Sequence, residues 1–129
     1  MMKSKQNKGE LFFSHTLDFL TDYLPNRMGR SVETQRAYKD SLTHFRKYLL
    51  NERGISIAKF YFEDCTKELL LDFCTFLKNN DNSPATCNAR LAAIKSYVQY
   101  ASDNDISLQS VALRVSKTKG LKIPKREKE

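Results

Sequence analysis

From Ser31 to Arg53 the sequence reads SVETQRAYKDSLTHFRKYLLNER, and no other run constrains the fold as strongly. Tyr38, Leu42, Phe45 and Leu49 recur at helical spacing and mark one apolar face. Ser31 supplies an N-cap, Thr34 three residues on shares the capping role, and Gly54 stops the helix. An apolar face of this length needs other elements to cover it.

Those elements are helices too. ELFFSHTLDFLTDYL (10–24) carries Leu11, Phe12, Phe13, Leu17, Phe19, Leu20, Tyr23 and Leu24 at three- and four-residue spacing, and Pro25 ends it. PNRMGR is a short linker. ISIAKFYFED (55–64) is β-branched and aromatic, but a lone strand has no partner here, so it reads as a loop with apolar anchors. Thr66 caps TKELLLDFCTFLKNN (66–80), whose Leu69, Leu70, Phe73, Phe76 and Leu77 make the broad face of a central helix. After the DNSP turn, Ser83 and Pro84 open a helix to about Ser102. SDNDIS breaks it, and LQSVALRV (108–115) is a last short helix. With only 4 Gly and 3 Pro in 129 residues, a turn-rich β fold is disfavoured. The expectation is one all-α domain, a four- to five-helix bundle.

Charge and cysteine usage narrow the class further. The net charge of +7 is concentrated at the ends: the leader 1–9 and the tail 114–129 are basic, while 10–113 is close to neutral. The leader, expected to be disordered, lacks the apolar stretch of a signal peptide, and no run approaches the roughly 18 apolar residues of a membrane span. A cytoplasmic location is expected. Cys65, Cys74 and Cys87 are odd in number and show no CxxC or CxxH spacing, which argues against a disulfide framework or a zinc site. They read as small buried side chains, and no cofactor or metal is expected.

The helix 83–101, SPATCNARLAAIKSYVQYA, contains no acidic residue at all. Cys87, Leu91, Ile94, Val98 and Ala101 form its buried stripe. Asn88, Lys95 and Gln99 line one flank and Arg90 the other. Helix 31–53 has a matching edge of Gln35, Lys39 and Arg46, with Arg36 and Lys47 further round and facing solvent. Cations at stripe edges often only extend their stems over apolar surface. Two such edges in one domain, beside an acidic first helix, favour a one-sided basic surface able to meet phosphates and base edges.

The order and spacing of these helices resemble the N-terminal core-binding, SAM-like domain of the tyrosine recombinases, the phage-integrase family. SVETQRAYKDSLTHFRKYL is similar to the family's Thr, Tyr, Leu, Phe and Leu at helical spacing. SPATCNARLAAIKSYVQYA is similar to its Thr-x-Asn-x-x-Leu-x-x-Leu-Lys/Arg-x-Phe-x-x-Tyr-Ala pattern, with Ile94 and Tyr97 as replacements. The resemblance covers roughly residues 10–115. It implies a DNA-binding domain that forms one half of a clamp on double-stranded DNA near a crossover site, with its second and fourth helices toward the major groove. It implies further that 116–129 is a basic linker, along the DNA, toward a catalytic domain absent from these residues. The expected DNA-binding set is Gln35, Arg36, Lys39, Arg46, Asn88, Arg90, Lys95, Gln99, Lys117, Lys119 and Lys122.

The family's catalysis needs two arginines, a lysine, a His-x-x-Arg motif and a nucleophilic tyrosine. Neither His15 nor His44 begins His-x-x-Arg, and Tyr38, Tyr97 and Tyr100 sit where packing or edge residues belong. No catalytic residue is therefore expected here, in what reads as a truncated product or a piece of a longer recombinase, monomeric alone and meeting other protomers on DNA. An alternative is a protein-interaction domain without direct DNA contact, whose Phe12, Phe13, Phe19 and Tyr23 dock onto a neighbouring protomer. A helix-turn-helix regulator fits less well, because 54–65 is too long for the tight turn that motif needs.

Overall fold

The computed structural model describes residues 9–120, which form five helical segments: α1 over 12–27, α2 Val32–Arg53, α3 Lys67–Asn79, α4 Pro84–Asn104 and α5 Gln109–Ser116. The leader up to residue 8 and the tail from 121, with Lys122, lie outside the described residues. The four later helices begin and end close to where the sequence signals fall. Ser31 Oγ accepts the Thr34 N–H (3.2 Å), Thr66 Oγ1 the Leu69 N–H (3.1 Å) and Ser83 Oγ the Thr86 N–H (3.1 Å). Gly54 closes α2 at φ 67, a left-handed conformation that glycine adopts without strain. Asp105 ends α4, and its Oδ1 accepts the Ser107 N–H at 3.0 Å to start the 3₁₀ turn Ile106–Leu108 that leads into α5.

α1 departs from its reading. It is a 3₁₀ turn, Phe12–His15, then one α turn, Thr16–Asp18, then a π-helical stretch, Phe19–Arg27. Pro25, expected to end it, lies inside it. A proline lacks an N–H, and its ring crowds the carbonyl a turn back. The wider π turn leaves the ring more room. The Met28 N–H reaches back five residues to the Tyr23 carbonyl at 2.8 Å, and the Arg30 N–H reaches the Leu24 carbonyl at 2.7 Å.

The 55–66 connection is a loop with apolar anchors. It holds two 3₁₀ turns, Ile57–Lys59 and Phe62–Asp64, with Phe60, Phe62 and Cys65 buried. Among the described residues its only ladder is one antiparallel bridge, Leu11 to Tyr61. There the Phe12 N–H donates to the Phe60 carbonyl (2.8 Å) and the Phe62 N–H to the Glu10 carbonyl (3.1 Å).

α4 is the central element and packs on α2, α3 and α5. Its buried side holds the expected Cys87, Leu91, Ile94, Val98 and Ala101, and also Ala93, Tyr97 and Tyr100. Phe12 sits at the hub of the core, with the rings of Phe13, Phe45, Phe60, Phe62 and Tyr97 at centroid distances of 4.9 to 5.7 Å. The Tyr97 hydroxyl donates to the Phe12 carbonyl (2.5 Å) and accepts the His15 N–H (3.0 Å), tying α1 to α4. Burial raises the Tyr97 pKa further above its ordinary value.

This packing corrects the docking role considered for α1. Phe12 and Phe19 are fully buried, and Phe13 and Tyr23 are half-buried against the same core, so these aromatics already have their partners within the domain. Tyr38, Tyr97 and Tyr100 are packing residues as well. All three cysteines are free thiols inside the fold.

Candidate nucleic-acid interface

Ion pairing separates the cations of this domain into two groups. Arg27 is held by Asp18 (3.0 Å) and Asp22 (3.2 Å), and its guanidinium lies 5.3 Å from the Tyr23 ring centroid. Arg53 is held by Asp72 at 3.2 Å. The acidic face of α1 is thus matched internally, with Asp18 accepting the Tyr100 hydroxyl as well. Lys39, Arg46 and Lys95 enter no ion pair among the described residues.

The expected contact residues do not all lie together. Lys39 and Arg46, both exposed, line a depression with Phe13, Leu20 and Ile57 on the α1 side of α2. Gln35, half-buried, and exposed Arg36 share the adjoining hollow with Lys39, Val32 and Thr21. Asn88 and Lys95 line another depression on the far edge of α4, with Leu91, Ala92 and Gly120. Lys95 is half-buried there, and its charge acts on the Cys74 thiol of α3. Gln99 donates to Ser102 Oγ (3.2 Å) and Asp103 Oδ1 (3.0 Å), an arrangement within its own helix. Lys117 and Lys119 are exposed just past α5.

Arg90 does not lie on an outer flank. It stands three residues after Cys87 and four before Ile94, a spacing that places it on the side of α4 facing α2. Its Nη1 donates to Ser41 Oγ at 3.5 Å, while its Nε is buried with no partner among the described residues. His44 is close to it and donates from Nδ1 to the Asp40 carbonyl at 3.0 Å. Burial, and then the positive charge of Arg90, lower the His44 pKa from its ordinary value. His44 was not among the expected contacts. The signal for this junction lay in the 87–90–94 spacing.

The geometry defines an all-helical domain in which Asp18, Asp22 and Asp72 are held by arginines, while Lys39 and Arg46 on α2 and Lys95 on α4 enter no ion pair among the described residues. Residues 13–115 match the family model of the phage integrase SAM-like domain, and the chain belongs to that family. Neither the curated proteins nor the solved structures compared with it gave a match. Among the described residues no helix is long and apolar enough to cross a membrane, and no cluster of His, Cys, Asp or Glu could hold a metal ion.

Proposed function

We propose that this domain binds duplex DNA beside the crossover site of a site-specific tyrosine recombinase, as one half of a clamp that a catalytic domain completes. The observation that carries the reading is the match of residues 13–115 to the phage integrase SAM-like domain; Lys39, Arg46 and Lys95, which enter no ion pair among the described residues, are the cations the two helix edges offer. A phosphate contact releases counterions, and a carboxylate at the same place would oppose it. The acid-free stretch 83–101 is explained in the same way: one side packs and the other approaches phosphates. Gln35 and Arg36 extend the α2 contact, and Arg90 steadies the α2–α4 junction between the two edges. Strand cleavage is assigned to a catalytic domain, and residues 13–115 tested by themselves are expected to form no covalent adduct with DNA. The cytoplasm, where such DNA is met, is its proposed location.

The test is a titration with duplex DNA at two salt concentrations. Non-specific affinity of roughly 10⁻⁴ to 10⁻⁶ M at physiological salt is expected, with log K falling by about 0.9 per phosphate contact for each decade of salt. Affinity that ignores salt would sink the reading. A second reading, contact between protomers, is favoured by exposed Ile106 and Leu113 around α5 rather than by the aromatics of α1.

A further inference from the structure

The chain does not leave the domain where α5 ends. The Thr118 N–H donates to the Val115 carbonyl at 3.0 Å, and Thr118 is only 1% exposed, as buried as Val115 itself. Its hydroxyl has no hydrogen-bond partner among the described residues, so packing rather than that hydroxyl holds it in place. Two residues later Gly120 lies directly on α4. A Cβ at Gly120 would stand 2.3 Å from Asn88 Oδ1 and 2.9 Å from Asn88 Cγ, closer than a Cβ is tolerated unless the carboxamide moves. Gly120 and Asn88 then share a depression with Leu91, Ala92 and Lys95.

We propose that Asn88 is a positioning residue: its carboxamide seats Gly120 and docks the strap 117–120 on α4 beside Lys95. The observations are the buried Thr118, the Gly120–Asn88 approach that leaves no room for a Cβ while the carboxamide keeps its place, and the depression that Gly120 and Asn88 share with Lys95. Any side chain at 120 would force the Asn88 carboxamide out of this position. Exposed Lys117 and Lys119 then stand on the strap that runs to the Lys95 edge. That this edge meets DNA rests on the function proposed above; the seat does not.

Limited trypsin digestion reads the seat directly, since Lys117 and Lys119 are themselves cleavage sites. In the unaltered protein both bonds are cut slowly, because cleavage must wait for Thr118 to leave the fold. Gly120→Ala speeds cutting at both by roughly five- to thirtyfold, the change in open population that a contact of ordinary strength controls. Asn88→Ser, added to Gly120→Ala, makes room for the new methyl and restores most of the protection. A purely local role for glycine would not respond to a change on α4. Failure of that rescue, or wild-type cutting as fast as in a free peptide of the same sequence, overturns the proposal. Hydrogen exchange at the Thr118 amide needs no variant: slowed exchange supports the seat, and exchange at the free-peptide rate overturns it. Lys117→Ala with Lys119→Ala is then titrated with duplex DNA beside Lys95→Ala. Loss of affinity in both supports the joined edge. Loss only in Lys95→Ala removes the strap from that edge. Loss in neither defeats the DNA reading and leaves the seat standing.

Discussion

α1 and α2 lie side by side in one small domain and hold their shapes by opposite means. α2 is specified from within: a serine cap, a continuous apolar face and a glycine in the left-handed conformation set both ends. α1 has no side-chain cap at any of its three parts and changes helical type twice in sixteen residues. Its shape is imposed from outside, by the Tyr97 hydroxyl on α4, the Phe60 carbonyl in the loop and the ring cluster around Phe12. A locally specified helix is sensitive to changes in its own sequence. An imposed one is sensitive to changes elsewhere in the chain.

The largest effect should come from Phe12→Ala. It removes the ring on which α1, α2, the loop and α4 converge, and a loss of about 3–5 kcal/mol is expected from chemical denaturation. A loss below about 1 kcal/mol, the ordinary cost of a point mutation, would mean that α1 is not held by the cluster. Tyr97→Phe is the sharper form of the same test. It deletes one oxygen on α4 and leaves the Phe12 carbonyl and the His15 N–H buried without it, a cost of about 1–3 kcal/mol. Its damage should appear in α1: hydrogen exchange ought to rise over 12–18 while α2 stays protected. Uniform exchange would erase the contrast between the two helices. Ser31→Ala removes the cap of α2 and should cost about 1 kcal/mol, with fraying confined to the first turn of α2. Last come Lys39→Ala and Lys95→Ala, which should change stability by no more than about 0.5 kcal/mol yet weaken duplex binding. Lys47→Ala, on the solvent side of α2, serves as the control. If it weakens binding equally, the two proposed edges do not exist as such.

The same contrast explains what could be read from the sequence. Ser31, Thr66, Ser83 and Gly54 act on neighbours within a few residues, so the bounds of α2, α3 and α4 were legible. Pro25 is also a local signal, but it misled. The π-helical widening that accommodates it is made by backbone bonds five and six residues back and by the packing of Phe19 and Leu24. In the candidate interface, the exposure of Lys39 and Arg46 followed from their place beside the α2 stripe. Arg90, read on the flank opposite Asn88, is half-buried on the side of α4 that faces α2. Thr118 and Gly120 gave no signal: Thr118 is buried beyond the last helix, and exposed Gly120 meets Asn88 of α4 across some thirty positions of sequence. The reading ended the helical domain at 115, and only the folded chain carries it on to the strap.

The three sulfurs give the domain a chemical clock. Burial pushes the Cys65 thiol up to about 12 and the Cys74 thiol to about 11, and it raises Cys87 too. Only a thiolate reacts readily with an alkylating reagent, so each sulfur stays inert until its surroundings open. Cys65 lies at the end of the loop, Cys74 on α3 and Cys87 near the start of α4. Mass-resolved labelling of the three would time the opening of three places in one tube, with no probe added to the chain.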